Sequence, residues 1–194
     1  MAKNKVKYNL KNAHYAMLTV DEEGTVSYAS PVALPGAVSI SLDANGEPEN
    51  FYADGAAYYV INNNMGYDGD LELAMIPEDF RVSALNETLD DKKVLIENAN
   101  TELNPFALLF EFDGDVKHIR HVLYNCSASR PGIEGKTNEE NREVQTETLS
   151  IKATPLASGV VKAKTGDSTD AAVYADWYKA VYMPSIAETG SGMD

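Results

Sequence analysis

The chain has 194 residues, 44% of them hydrophobic, one cysteine and a formal charge of −14. Its length suits one domain with a sizeable core, because domains of about 150 residues or more bury roughly 70% of their unfolded surface. The single cysteine excludes an intrachain disulfide, no apolar run nears the roughly 18 residues a membrane-spanning helix needs, and the acidity argues against tight nucleic-acid binding, which needs a basic footprint.

Residues 1–12 read as a flexible basic N-terminal arm, carrying Lys3, Lys5, Lys7 and Lys11 and no acid. The segment lacks the long apolar stretch and cleavage site of a secretory signal. A single domain is expected over residues 13–184. His14 to Val20 reads as a strand, Asp21 to Gly24 as a turn and Thr25 to Ala29 as its hairpin partner. After Pro31 and Pro35-Gly36, Val38, Ile40 and Leu42 alternate with Ser39, Ser41 and Asp43. A projecting hairpin loop is expected at about 45–66, with arms Asn50 to Ala53 and Ala57 to Asn62 turning at Asp54-Gly55. Leu71, Leu73 and Met75 resume the period of two. Pro77 then opens a short helix, PEDFRVSAL, as its first residue, with acids in the first turn as the helix dipole favours. Lys93 to Glu97 is a further strand candidate.

The stretch Phe106 to Pro155 is the richest in strand pattern. Phe106, Leu108, Phe110 and Phe112 share one parity, and Lys117 to Cys126 sets Ile119 and Leu123 opposite Val122 and Tyr124. Ala128 to Glu143 reads as loop. Gln145, Glu147, Leu149 and Ile151 then alternate with Val144, Thr146, Thr148 and Ser150, and Val160 to Lys164 is a short strand. Asp170 is placed to cap a helix running to about Met183 and stopped by Pro184. Val173, Trp177 and Val181 (or Ala180) fall on its sheet-facing side, with Tyr174, Tyr178 and Tyr182 as an adjacent stripe. Residues 185–194 read as a disordered tail. The pattern is mainly β with flanking α.

Candidate chemistry fails on spacing. GIEGKT lacks the first glycine of a phosphate-binding loop, because that position is Arg130 followed by Pro131. His118 and His121 are three apart in a strand-like run, which sends them to opposite sides and argues against a shared metal. The triplets Asp68 to Asp70 and Asp113 to Asp115 lack the further ligands of a calcium loop and read as turns between strands. Cys126 reads as a small buried hydrophobe. No nucleophile elbow is present. A chain with long strands and few reactive residues reads as a structural protein rather than an enzyme, with no cofactor and no metal.

The segments FYADGAAYYVINNNMGYDGDLELAMIPEDF (Phe51 to Phe80), FALLFEFDGD, RHVLYNCSASRPGIEGKTNEENREVQTETLSIKATP (Arg120 to Pro155) and YADWYKAVYMP resemble the major tail protein of long-tailed, non-contractile bacteriophages. The resemblance spans roughly residues 5–184. It implies two packed antiparallel sheets with a flanking helix and a long loop, a β-sandwich or barrel-like tail-tube fold. It further implies a virion protein, assembled in the bacterial host cytoplasm, whose subunits form hexameric rings stacked into a tube for DNA ejection. Implied partners are further copies of the chain and the tape-measure, tail-terminator and tail-tip proteins. DNA only passes through the lumen, and no membrane is involved.

On that reading, the polar alternating positions Ser39, Ser41, Asp43, Glu72, Thr146 and Thr148 are expected to face the lumen. Ring-to-ring contacts are expected from the basic arm (Lys3, Lys5, Lys7, Lys11) and from the projecting segment (Glu47, Phe51, Tyr52, Tyr58, Tyr59). The loop Arg130 to Arg142 is a weaker interface candidate. Deleting residues 2–11 is expected to reduce tube assembly without unfolding the monomer. The alternative function is a monomeric β-sandwich binding module, for instance for carbohydrate, using the aromatic cluster Phe51, Tyr52, Tyr58, Tyr59 and Tyr67.

Overall fold

The structure, a computed structural model, describes residues 3–47, 49–53, 55–61, 63–137 and 143–185. Its central strand is the apolar run Phe106–Gly114 (β10). On one side β10 pairs antiparallel with Lys7–Val20 (β1), which also carries the short strands Val26–Tyr28 (β2) and Val32–Ala33 (β3). On its other side β10 pairs with Ile119–Ala128 (β11). The sheet continues from β11 through Glu147–Ala153 (β12) and Gly66–Leu73 (β7) to Ala37–Asn45 (β4). A separate ribbon pairs Thr88–Leu89 (β8) with Leu95–Ile96 (β9), which lies within the expected strand Lys93 to Glu97.

Strand β11 changes partners along its length. Its first half, His121 to Leu123, pairs with Lys162–Lys164 (β13), and only Cys126 to Ala128 pairs with β12. This exchange folds the nine-stranded sheet on itself, so that β1 and β4, far apart in strand order, approach each other. The fold is therefore mainly β and antiparallel, and the two packed layers are halves of one continuous sheet.

Parity decides the core. Phe106, Leu108 and Phe110 of β10, Leu123 of β11, Leu149 and Ile151 of β12, and Leu71 and Leu73 of β7 all point between the two halves. The helix Glu78–Ser83 (α1) closes one end of this core with Phe80, whose ring meets Tyr15 and Phe106 edge-on. The other parity of β10 and β11, with Ala107, Leu109, Val122 and Tyr124, faces a second core under the helix Ala171–Asp176 (α2) and Trp177. A bulge in β11 between Leu123 and Cys126 reverses its parity, so Cys126 and Ala128 join Leu123 in the first core, where burial pushes the Cys126 thiol up to about 12.

The second core contains a charge. Glu111 is 2% exposed and accepts from Arg120 Nε (2.9 Å), Asn12 Nδ2 (2.6 Å) and the Tyr178 hydroxyl (3.3 Å). The Arg120 guanidinium also donates to the Tyr174 carbonyl and stacks over the Tyr174 ring at 3.9 Å. The pair thereby ties β10 and β11 to the C-terminal segment.

Several elements depart from the sequence pattern. β1 begins at Lys7 rather than near His14, so Lys7 and Lys11 belong to a strand and not to an arm. Two bulges, with Asn9 (φ 53°) and Asn12 (φ 52°) in the left-handed region, break the alternation that would have revealed it. A deletion of residues 2–11 thus removes part of β1 and its pairing with β10. It is expected to lower stability, contrary to the expectation drawn from the sequence.

Pro77 sits at the N-cap of α1 (φ −60°, ψ 143°), one position before the expected one. Met75 lies beyond the end of β7 and is exposed, because the chain leaves the sheet after Leu73. α2 is half its expected length. Asp170 caps it by accepting from Ala172 and Val173, but Trp177 Nε1 donates to the His121 carbonyl (3.4 Å) and Tyr124 OH to the Tyr182 carbonyl (2.7 Å), fastening the following chain to the sheet. Of the expected tail, all but Ser185 lies outside the described residues.

Removing one partner of a buried ion pair leaves the other charge without compensation. Glu111→Ala is therefore expected to destabilise the chain by about 3–5 kcal/mol in urea unfolding. A loss below about 1 kcal/mol would show that solvent reaches Arg120 and that the pair is not what fastens α2.

Candidate functional site

The outward face of β4, β7 and β12 is the most distinctive polar surface. The two strand pairings put side chains in three cross-strand rows: Ser39, Glu72 and Thr148; Ser41, Asp70 and Ser150; and Asp43, Asp68 and Lys152. Alternation sends Leu71, Leu149 and Ile151 to the core and these residues to the opposite side. Four carboxylates meet one ammonium there, so the face is acidic.

Hydroxyls and an amide hold the carboxylates. Ser39 Oγ donates to Glu72 Oε2 (2.7 Å) and Thr146 Oγ1 to Oε1 (2.6 Å). Ser150 Oγ donates to Asp70 Oδ1 (2.8 Å), and Asn45 Nδ2 to Asp68 Oδ2 (2.6 Å). The hydrogen bonds from Thr146 and Ser39 stabilise the ionised carboxylate and hold Glu72 below the usual carboxylate range.

Gly69 makes this packing possible. It lies between the two aspartates at the middle of β7, where an added Cβ would collide with the Ser41 carbonyl. Asp68 to Asp70, expected as a turn, is therefore strand. Its glycine serves close backbone approach to β4, not a reversal of direction.

All six residues expected to line a lumen, Ser39, Ser41, Asp43, Glu72, Thr146 and Thr148, lie on or beside this one face. Asp68, Asp70, Ser150 and Lys152 complete it and were not among the positions expected to face the lumen. The parity of Ser150 with Thr148 would have found one of them. The face also has open sides: among the described residues, no strand pairs with the outer side of β4, and from Glu147 to Leu149 none pairs with the edge of β12 that faces away from β7. Glu147 accepts from Ile76 N (2.5 Å) and Arg81 (2.9 Å), anchoring the start of β12 to α1.

The remaining candidates fall elsewhere. Glu49–Ala53 (β5) and Ala56–Ile61 (β6) form a separate hairpin inserted between β4 and β7, close to the expected bounds. Tyr52, Tyr58 and Tyr59 are 66%, 75% and 64% exposed, Glu47 is exposed, and Phe51 pairs in register with Tyr59. The lysines lie along the first residues of the chain. Lys3 is exposed, Lys5 N donates to Asp115 (2.8 Å), and Lys11 Nζ stands 2.7 Å from Asp113. Asn4 fastens this segment further, donating to the Lys117 carbonyl (2.7 Å) and accepting from the Val116 and Lys117 amides. His118 Nδ1 stands 2.6 Å from Asp113, whereas the His121 ring stacks on Phe110. Of the loop Arg130 to Arg142, the last five residues lie outside the described ones, and Arg130 Nε is 3.1 Å from Glu97.

Among the described residues, no group of three or more His, Cys, Asp and Glu is arranged to hold a metal ion. No helix among them is long and apolar enough to cross a membrane. No family model matches the chain, and no curated protein matches it.

The two hydroxyl clamps predict a titration. In the Ser39→Ala/Thr146→Val variant, the Glu72 carboxyl should titrate higher than in the parent when followed by carbon-detected NMR. The folded value of Glu72 is depressed, so its stabilising contribution is present above the unfolded value and fades as pH falls through the folded one. An unchanged Glu72 titration would show that the hydroxyls do not hold the charge.

Proposed function

We propose that the chain is a structural subunit of a tail tube, self-assembling into stacked hexameric rings whose lumen passes DNA, as in long-tailed, non-contractile bacteriophages. One observation carries the reading: an acidic face on three paired strands, with the outer side of β4 and the start of β12 left open to further pairing among the described residues. Open strand edges invite pairing with another chain, and closing a ring of identical copies removes every such edge. In that ring the faces of successive copies join into one wall. Carboxylates repel phosphates over about a Debye length, ~8 Å at physiological salt, so a DNA strand finds no adhesive track along it. The face then acts as a passive surface and performs no reaction.

The hairpin bears on two readings. Its exposed tyrosines and Glu47 suit contact between rings within the tube reading. The same aromatics suit sugar stacking in a monomeric carbohydrate-binding module, because an exposed ring offers an apolar face to a pyranose.

Negative-stain microscopy of the purified full chain at rising concentration separates these readings. Rings or tubes are the expected result. A chain that stays monomeric at high concentration overturns the tube, and glycan affinity lost in Tyr58→Ala/Tyr59→Ala then selects the binding module. Tubes built from Asp70→Lys/Glu72→Lys should retain duplex DNA at low salt at least tenfold better than parent tubes. Equal retention would place the acidic face away from the lumen.

A further inference from the structure

Where β11 exchanges β12 for β13, the two halves of the sheet part and leave a cleft of about 320 Å³. That volume is at the lower end of small-molecule sites. Its floor is apolar and aromatic. Phe110 stacks on the His121 ring with centroids 5.1 Å apart and planes 5° from parallel, and Phe112 meets both edge-on. Ile40 and Leu42 of β4 form the facing wall.

Two cations stand on the rim. Lys7 Nζ lies 4.6 Å from the Phe112 ring centre, and Lys162 Nζ lies 4.1 Å from that of Tyr67. No Asp or Glu lines the cleft, and neither lysine pairs with a carboxylate among the described residues. This is anomalous in a chain with 30 acids against 16 bases. Burial, reinforced by Lys164, Lys7 and Lys162, lowers His121 to about 4. The imidazole is thus neutral near pH 7, a flat surface for stacking, while the two ammoniums supply the charge.

We propose that this cleft binds a small monoanion with an aromatic body, its carboxylate between Lys7 and Lys162 and its ring against Phe110, Phe112 and His121. The arrangement matches the needs of such a ligand at both ends. The apolar floor removes the ring from water, and the two ammoniums take the anionic group at the solvent edge, where its desolvation cost is small. An uncharged analogue keeps only the first contribution. The site does not depend on the tube reading, since all its residues come from one copy.

The test is calorimetric titration of the full chain with 4-phenylbutyrate and with 4-phenylbutyramide, supported by amide chemical-shift mapping. Saturable one-to-one binding of the carboxylate is expected, at least tenfold weaker for the amide. Shift changes should centre on β10, β11 and β13. Lys7→Gln/Lys162→Gln changes exposed side chains, should leave the thermal unfolding midpoint unaltered, and should weaken carboxylate binding at least tenfold. Lys179→Gln should not weaken it. The proposal is overturned if no saturable heat appears up to millimolar ligand, if the amide binds equally well, or if the double variant binds like the parent.

Discussion

A strand that lies between two cores has no polar side to give to solvent, and β10 meets this condition from Phe106 to Glu111. Everything else is arranged around that constraint. The even-numbered residues require the far half of the sheet to fold over them, and the odd-numbered ones require α2 and the tyrosine-rich C-terminal segment. The exception is Glu111, on the second face. Its burial is tolerable because Arg120, Asn12 and Tyr178 converge on it, and that convergence sets the position of α2. Packing at the centre thus fixes both outer layers.

The polar face is a by-product of the same geometry. Once Leu71, Leu149 and Ile151 are committed inward, their neighbours must point away, and the sequence fills those places with short acids and hydroxyls. Hydrogen bonds between neighbouring strands then hold the carboxylates in fixed rows. In the proposed tube this would give a wall whose charge is set by strand register. Register is itself locked, because a one-residue slip would bring acids into the core.

Much of this was legible in the sequence. The shared parity of Phe106, Leu108 and Phe110 is that of the inner core, and Leu123 does face away from Val122 and Tyr124, but the bulge that returns Cys126 and Ala128 to the side of Leu123 was not legible. The alternation around Ser39 and Thr148 gathered six residues that the structure sets together. What escaped has local physical causes. Asparagines in the left-handed region hid the first half of β1, and a glycine needed for close packing made Asp68 to Asp70 look like a turn. Tertiary hydrogen bonds from Tyr124 and Trp177 shortened α2, and no helical periodicity reports contacts made across the fold. The cleft at the partner exchange of β11 was also invisible, since it arises from where two non-adjacent strands end.

The side chains on the acidic face are mostly short. Serine and aspartate reach only one or two bonds beyond Cβ, and the longer Glu72 is tethered by hydroxyls on either side. Three of the four carboxylates are thus held in place, whereas Asp43 and the long, exposed Lys152 have no such hydrogen bond among the described residues. A polymer moving over such a surface would meet fixed negative charge over two rows and a single mobile ammonium in the third, so any drag from the protein would be concentrated at Lys152.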